Sequence, residues 1–411
     1  MRFDNFTKNN IIMFCANSLG SFFNLLYQII MLRLLSKEAF ASLNSLISLL
    51  AVLSVPALSF ATMVTKHISS HNALKKDEHL KTLWQRLLCH AFIFSLGIFL
   101  LLFFLRFQLA EFFHIGSPWS IVILGAIFFF SGIASVVTGG LQGLEKFKWL
   151  AIIGVLAGVL KILLPIGLVK LFASSLKAAL VGFLLPGIFG IAFALWPLRF
   201  LLSKANGQKV NLKQLYLYII PVSLVSLCFA LLTNIDMILV KHFFLQEAQD
   251  YSVAQMIGKI VLSISGMVYV VMFSRAANMH AVKEDTKSIL KKSLGFTFFL
   301  TIIAVSFFNL FPHFVFSLIA GRVNPQVIFL SRIFSLSMFF FALCNVLFYY
   351  QLSIERYSFI LPLILIGLLE AAAMGTFHKT TVSVTVIALI CSMALFGINL
   401  YLAFASRPHR Q

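Results

Sequence analysis

Charge is what this chain has least of. Asp, Glu, Lys and Arg make up only 11% of its 411 residues, against roughly a quarter in an ordinary soluble domain. Acidic residues are the scarcer sign, with 13 Asp and Glu against 32 Lys and Arg, for a formal net charge of +19. So few charges cannot solvate a water-soluble globule of this length, which excludes the usual soluble enzymes. The positive excess would suggest nucleic acid on a soluble chain. Here the cations sit mainly in short segments between apolar runs, so no nucleic-acid partner is expected. Cysteine is sparse as well. Cys15, Cys89, Cys228, Cys344 and Cys391 all lie inside apolar runs, without C-x-x-C or zinc spacing. Neither a disulfide framework nor a metal site is expected. From Met1 to Lys8 no cleavable leader is expected, and the first apolar run is expected to serve as its own insertion signal.

What the chain has is hydrocarbon. It is 60% hydrophobic with 46 Phe, and its mean hydropathy is +0.98. An α-helix needs about 20 apolar residues to cross the ~30 Å hydrocarbon layer. Twelve such stretches are expected, near residues 10–35, 40–65, 83–105, 118–141, 149–171, 176–198, 215–240, 251–273, 294–319, 327–350, 359–374 and 382–404. Ser117-Pro118 reads as a helix start with proline at the first helical position. The expected fold is all-α, a polytopic membrane protein of about twelve transmembrane helices in two six-helix pseudo-symmetric bundles. The predicted halves are residues 1–206 and 207–411.

Cation placement predicts orientation. With the N-terminus inside, twenty-one Lys and Arg fall in inner segments, eight at outer edges, and Lys161, Lys259 and Arg332 within spans. Both termini are therefore expected in the cytoplasm. An offset of 209 residues relates the halves: Glu38-Ala39 to Glu247-Ala248, Thr65-Lys66 to Ser274-Arg275, and His71 to His280. Halves of parallel orientation place a transporter's site at their interface.

Ionisable groups inside the bilayer are costly, at ~2.5–3.5 kcal/mol each on insertion scales, and so carry the search for chemistry. Lys161 lies near mid-depth of span 5, with Pro165 one turn on. Lys259 lies in span 8, Arg332 a few residues into span 10, and Asp236 deep in span 7 within Thr233-Asn234-Ile235-Asp236. Lys161 and Lys259 are expected to line a polar cavity. Asp236 is expected either to pair with a cation such as Lys259 or to form a proton or sodium site. Arg33 and Lys241 occupy corresponding outer ends of spans 1 and 7, where snorkelling to headgroups is expected. Glu370, near the outer end of span 11, is expected at the interface. Pro56, Pro165, Pro186, Pro197, Pro221 and Pro362 permit kinks.

Local sequence narrows the class. Asn17-Ser18-Leu19-Gly20 and Leu34-Leu35-Ser36-Lys37-Glu38-Ala39-Phe40 resemble the first hairpin of the polysaccharide-biosynthesis (oligosaccharide, O-antigen) flippases. Leu141-Gln142-Gly143-Leu144-Glu145-Lys146-Phe147 is similar to their span 4–5 loop. Thr233-Asn234-Ile235-Asp236-Met237-Ile238-Leu239-Val240 with Asp250-Tyr251-Ser252-Val253-Ala254-Gln255-Met256-Ile257-Gly258-Lys259 resembles their span 7–8 hairpin. The resemblance implies the multidrug/oligosaccharidyl-lipid/polysaccharide exporter superfamily. Such proteins flip undecaprenyl-diphosphate-linked sugars from the inner to the outer leaflet of the bacterial cytoplasmic membrane, for lipopolysaccharide and other surface glycans. It implies a cationic chamber to which Arg33, Lys66, Lys161, Lys259, Arg275 and Arg332 would contribute. No cofactor is implied. Expected partners are the lipid-linked oligosaccharide, membrane lipid, a proton or sodium ion at Asp236, and other glycan-assembly proteins. Twelve spans rather than fourteen distinguish the expectation from the lipid II flippases. Two other functions stay open: a multidrug and toxin cation antiporter, which would want more chamber carboxylates, and a glycan polymerase, which would want a sizeable outer loop.

Overall fold

The computed structural model describes residues 5–73, 77–172, 175–203, 212–281, 284–321 and 324–405. Among them all regular structure is helical. Lipid explains this, since a spanning backbone must satisfy its own N–H and C=O groups and a helix does so within one segment. The chain divides into two compact units, residues 1–223 and 224–411.

The first unit holds α1 (Asn5–Leu34), α2 (Lys37–Leu53), α3 (Val55–Ala73), α4 (Asp77–Phe104), α5 (Arg106–Phe112), α6 (Trp119–Gly143), α7 (Phe147–Leu171) and α8 (Leu176–Leu195). A 3-10 turn, Trp196–Leu202, follows, and α9 (Leu212–Leu232) crosses the division. The second unit holds α10 (Ile235–Phe243), α11 (Ala248–Ala281), α12 (Lys287–Leu310), α13 (Pro312–Ala320), α14 (Pro325–Ser353), α15 (Ile360–Thr376) and α16 (Thr381–Ala405). Nine of the described helices are long and apolar enough to cross a membrane, or ten if the bent pair α2–α3 is one span. Ser18–Leu34 and Ile360–Thr376 are shorter apolar helices. Each expected span thus has its helix or helix pair. Residues 312–319, expected inside span 9, form the separate short helix α13 instead. Helix α6 begins at Trp119 with Pro118 as its N-cap, one residue later than the sequence suggested.

The same packing plan recurs inside each unit. In the first, α6 packs on α3, α4 and α8; in the second, α14 packs on α11, α12 and α16. Each is the fourth span of its half, enclosed by the second, third and sixth. Surfaces away from these centres are hydrocarbon. Phe296, Phe299, Ile303, Phe307 and Leu310 of α12 are exposed at helical spacing, an apolar stripe far longer than a soluble surface tolerates.

The halves differ where their backbones break. Span 2 bends by 42° between α2 and α3, where Pro56 cannot donate an N–H. Its counterpart α11 runs unbroken from Ala248 to Ala281. Span 1 is one helix, whereas span 7 is interrupted between α9 and α10. At that interruption Asn234 Nδ2 donates to the Ala230 carbonyl at 2.8 Å, while the Asn234 N–H bonds the Leu231 carbonyl instead, at 3.1 Å. The side chain thus takes the acceptor that the helical N–H would use. Pro165, Pro186 and Pro221 lie within continuous helices.

Candidate functional site

In the first unit the intramembrane cation is Lys161 on α7. One turn earlier, a Cβ on Gly158 would stand 2.2 Å from Phe23 Cδ2 of α1, so the two helices meet at the glycine. Residues three apart share a helix face, and Lys161 therefore reaches α1 as well. Its Nζ donates to Asn24 Oδ1 at 2.5 Å. It also lies 3.7 Å from the ring centre of Phe183 and 5.4 Å from that of Tyr27. Tyr27 is fixed by donating its hydroxyl to the Ala179 carbonyl at 3.4 Å. An amide oxygen and two aromatic faces stabilise an ammonium without neutralising it. Asn24 is exposed and Lys161 half-buried, so the pair is not sealed in packing. Gly158→Val should push α1 from α7 at an overpacking cost of about 1–3 kcal/mol. A lower melting temperature of the detergent-purified protein would register it.

In the second unit the polar centre forms around the span 7 interruption. Asp236, in the first turn of α10, is 1% exposed. Its carboxylate accepts from the Tyr251 hydroxyl at 2.8 Å and from Gln255 Nε2 at 3.1 Å to both oxygens. Lys259 Nζ donates to Asn234 Oδ1 at 2.8 Å and lies within electrostatic reach of Asp236. Tyr251, Gln255 and Lys259 recur every fourth residue along α11, one face turned toward α10. A Cβ on Gly258 would meet Phe334 Cδ1 at 2.2 Å, which sets α11 tight against α14 beside that face.

Glu370 completes the cluster and corrects an expectation. It is fully buried rather than interfacial, and electrostatic coupling links it to Asp236 and Tyr251. Among the described residues neither carboxylate oxygen has a hydrogen-bond partner. Helix α15 turns this residue inward while Leu361, Leu365, Leu368 and Leu369 are exposed. Lys241 also departs from expectation. It is 0% exposed, because α10 is packed by α11, α15 and α16, so it does not snorkel. Arg33 is exposed.

The remaining predicted cations lie on surfaces. Lys66 on α3 and Arg275 on α11 are exposed. So is Arg332 of α14, on the same face as exposed Phe329 and Leu336. Lys161 lies with its partners in the first unit, and Lys259 lies with Asp236 in the second. Sequence reasoning missed Asn24, Asn234, Tyr251, Gln255 and Glu370 as parts of these clusters. A signal existed for Glu370, the single charged residue of its apolar run. In the α6–α7 loop, Lys146 Nζ donates to the Pro197 carbonyl at 2.6 Å and lies 5.0 Å over the Phe200 ring. Burial pushes its ammonium below the usual lysine range.

Residues 6–273 match the family model described as polysaccharide biosynthesis protein. Among solved structures the fold is similar to an inward-facing multidrug resistance MATE family transporter of the MOP superfamily. That likeness has TM-score 0.76 at 16% identity, covering 94% of this chain and 95% of that one. It is also similar to the lipid II flippase MurJ in an inward closed conformation, with TM-score 0.72 at 14% identity, covering 97% and 88%. An outward-facing MATE transporter matches at TM-score 0.68, 16% identity, covering 96% and 94%. No curated protein matches the chain.

Proposed function

The chain belongs to the polysaccharide biosynthesis protein family, a multi-pass transporter of the MOP superfamily, and from that premise we propose that it flips an undecaprenyl-diphosphate-linked oligosaccharide. The direction is from the inner to the outer leaflet of the bacterial cytoplasmic membrane, by alternating access, with both termini cytoplasmic. The cargo serves O-antigen or another surface polysaccharide. The protein moves this substrate and does not transform it.

One observation carries the reading. Lys161 is a cation at membrane depth whose contacts are an amide and two aromatic rings, none of them an acid. A cation left un-neutralised where charge is expensive suits an anionic ligand, and a diphosphate supplies charge-assisted hydrogen bonds. Exposed Lys66 and Arg275 draw the diphosphate in from the inner leaflet. Lys161 in the first unit and Lys259 in the second each offer the diphosphate a cation while the prenyl tail remains in lipid, and Arg33 receives it at the outer end. Other glycan-assembly proteins supply and remove the cargo.

The second unit supplies coupling. Two buried carboxylates, Asp236 and Glu370, share one neighbourhood with Lys259. Like charges this deep are balanced by a proton or a small cation, which makes the pair the proposed proton or sodium site. The same acids favour one rival, a multidrug exporter that binds organic cations there. Proteoliposomes separate the two. Purified protein is expected to move a fluorescent prenyl-diphosphate oligosaccharide across the bilayer and to leave a cationic dye unmoved. Dye transport without movement of the lipid-linked sugar would overturn the flippase reading.

A further inference from the structure

Resting on the reading of Lys161 as an anion-binding cation, we infer that Asn24 is a positioning residue for it. Asn24 holds the Lys161 ammonium by an amide oxygen that leaves the charge uncancelled. A second lysine–asparagine contact, Lys259 to Asn234, lies in the second unit, but there Asp236 is within electrostatic reach of the ammonium.

Lys161 arrives on the fifth span of its half, and Lys259 on the second span of the other, so the two contacts are not copies of one another. Each hydrogen bond is short, 2.5 Å to Asn24 and 2.8 Å to Asn234, and each ties together residues on different helices. In the first unit the aromatic faces of Phe183 and Tyr27 supply the other contacts. In the second, Tyr251 and Gln255 donate to Asp236, which lies within electrostatic reach of Lys259.

The chemistry explains why an amide serves and an acid would not. An aspartate in place of Asn24 would keep an acceptor of the same size and reach. It would also form an ion pair with Lys161, and an incoming diphosphate would have to break that pair before binding. An alanine would leave the charge intact but free the ammonium to swing. The inference therefore orders the variants: Asn24→Asp is more damaging than Asn24→Ala, though Asp resembles Asn more closely. A merely structural asparagine gives the opposite order.

The test uses the full-length detergent-purified protein and farnesyl diphosphate as probe, with farnesol as its uncharged control, by isothermal titration. Wild type should bind the diphosphate in preference to the alcohol, and Lys161→Gln should lose that preference. Asn24→Asp should weaken diphosphate binding at least tenfold and Asn24→Ala about threefold, with farnesol unchanged. Asn24→Glu poses the same question should Asn24→Asp fail to fold. If Lys161→Gln weakens binding but Asn24→Asp matches wild type, the positioning role is overturned and the flippase reading stands. If wild type does not distinguish diphosphate from alcohol, or Lys161→Gln changes nothing, the flippase reading falls and takes the positioning role with it.

Discussion

Lys161→Gln and Lys259→Gln are each expected to abolish surface glycan in cells that depend on this protein, Lys161→Gln while the protein accumulates to its normal level. Losing a desolvated cation from a hydrogen-bonded charge pair costs about 2–5 kcal/mol of binding. At about 1.4 kcal/mol per tenfold, substrate binding should weaken by at least about 30-fold. Stability should move the other way for Lys161. Its charge is opposed by no acid among its contacts, and placing such a cation in the bilayer costs ~2.5–3.5 kcal/mol on insertion scales. Gln removes that cost and can still donate to Asn24. The melting temperature of Lys161→Gln should therefore equal or exceed that of wild type. A lysine kept only for structure would show the reverse, full glycan display in a less stable protein. Lys259 differs because Asp236 lies nearby. Removing it leaves two buried acids without their cation, so Lys259→Gln should lose transport and some stability together.

The sequence announced the helices because lipid permits so few alternatives. A run of some twenty apolar residues has one workable backbone in hydrocarbon, and each expected span has its helix or helix pair. Hydropathy is blind to what interrupts them. At the break the Asn234 side chain takes the Ala230 carbonyl and its N–H turns to Leu231, and no average over residues registers such an exchange. Pro56 was a visible hinge, and the 42° bend lies there. Pro165 was equally visible and sits in an unbroken α7, with Gly182 of α8 packed against it.

The site was legible as a list of costly charges but not as an arrangement. Asp236 and Lys259 stood out because each charge interrupts an apolar run. Their amide, phenol and carboxamide partners did not, since Asn, Tyr and Gln are unremarkable in isolation. Lys161 meets Asn24 across 137 residues of chain, a pairing set by how α1 and α7 meet at Gly158. Depth along a helix can be counted from sequence, but rotation about its axis is fixed by packing. That is why Glu370, placed near an outer end, was expected in the headgroups and is instead turned into the unit. Lys241 was misjudged for the same reason.

Rotation of Glu370 into the second unit also yields the clearest prediction about energy coupling. Its carboxylate has no hydrogen-bond partner among the described residues and faces the like charge of Asp236. Burying a carboxylate in that way is unfavourable, and a neutral amide of the same shape is cheaper to bury. Glu370→Gln should thus fold at least as well as wild type. In proteoliposomes it should lose stimulation by an imposed proton or sodium gradient at least tenfold, while slow passive exchange of the lipid-linked sugar continues. Asp236→Asn should lose the same stimulation and also stability. Tyr251 and Gln255 donate to its carboxylate, and hydrogen bonds to a charged group are worth about 1.5–3 kcal/mol each. A melting temperature lowered in Asp236→Asn but not in Glu370→Gln would separate the structural member of the pair from the one present for the ion. Full gradient stimulation in Glu370→Gln would show that the acid pair does not couple transport. The driving force would then have to act on the cargo's own charge through the membrane potential, worth about 2.3 kcal/mol per charge at 100 mV.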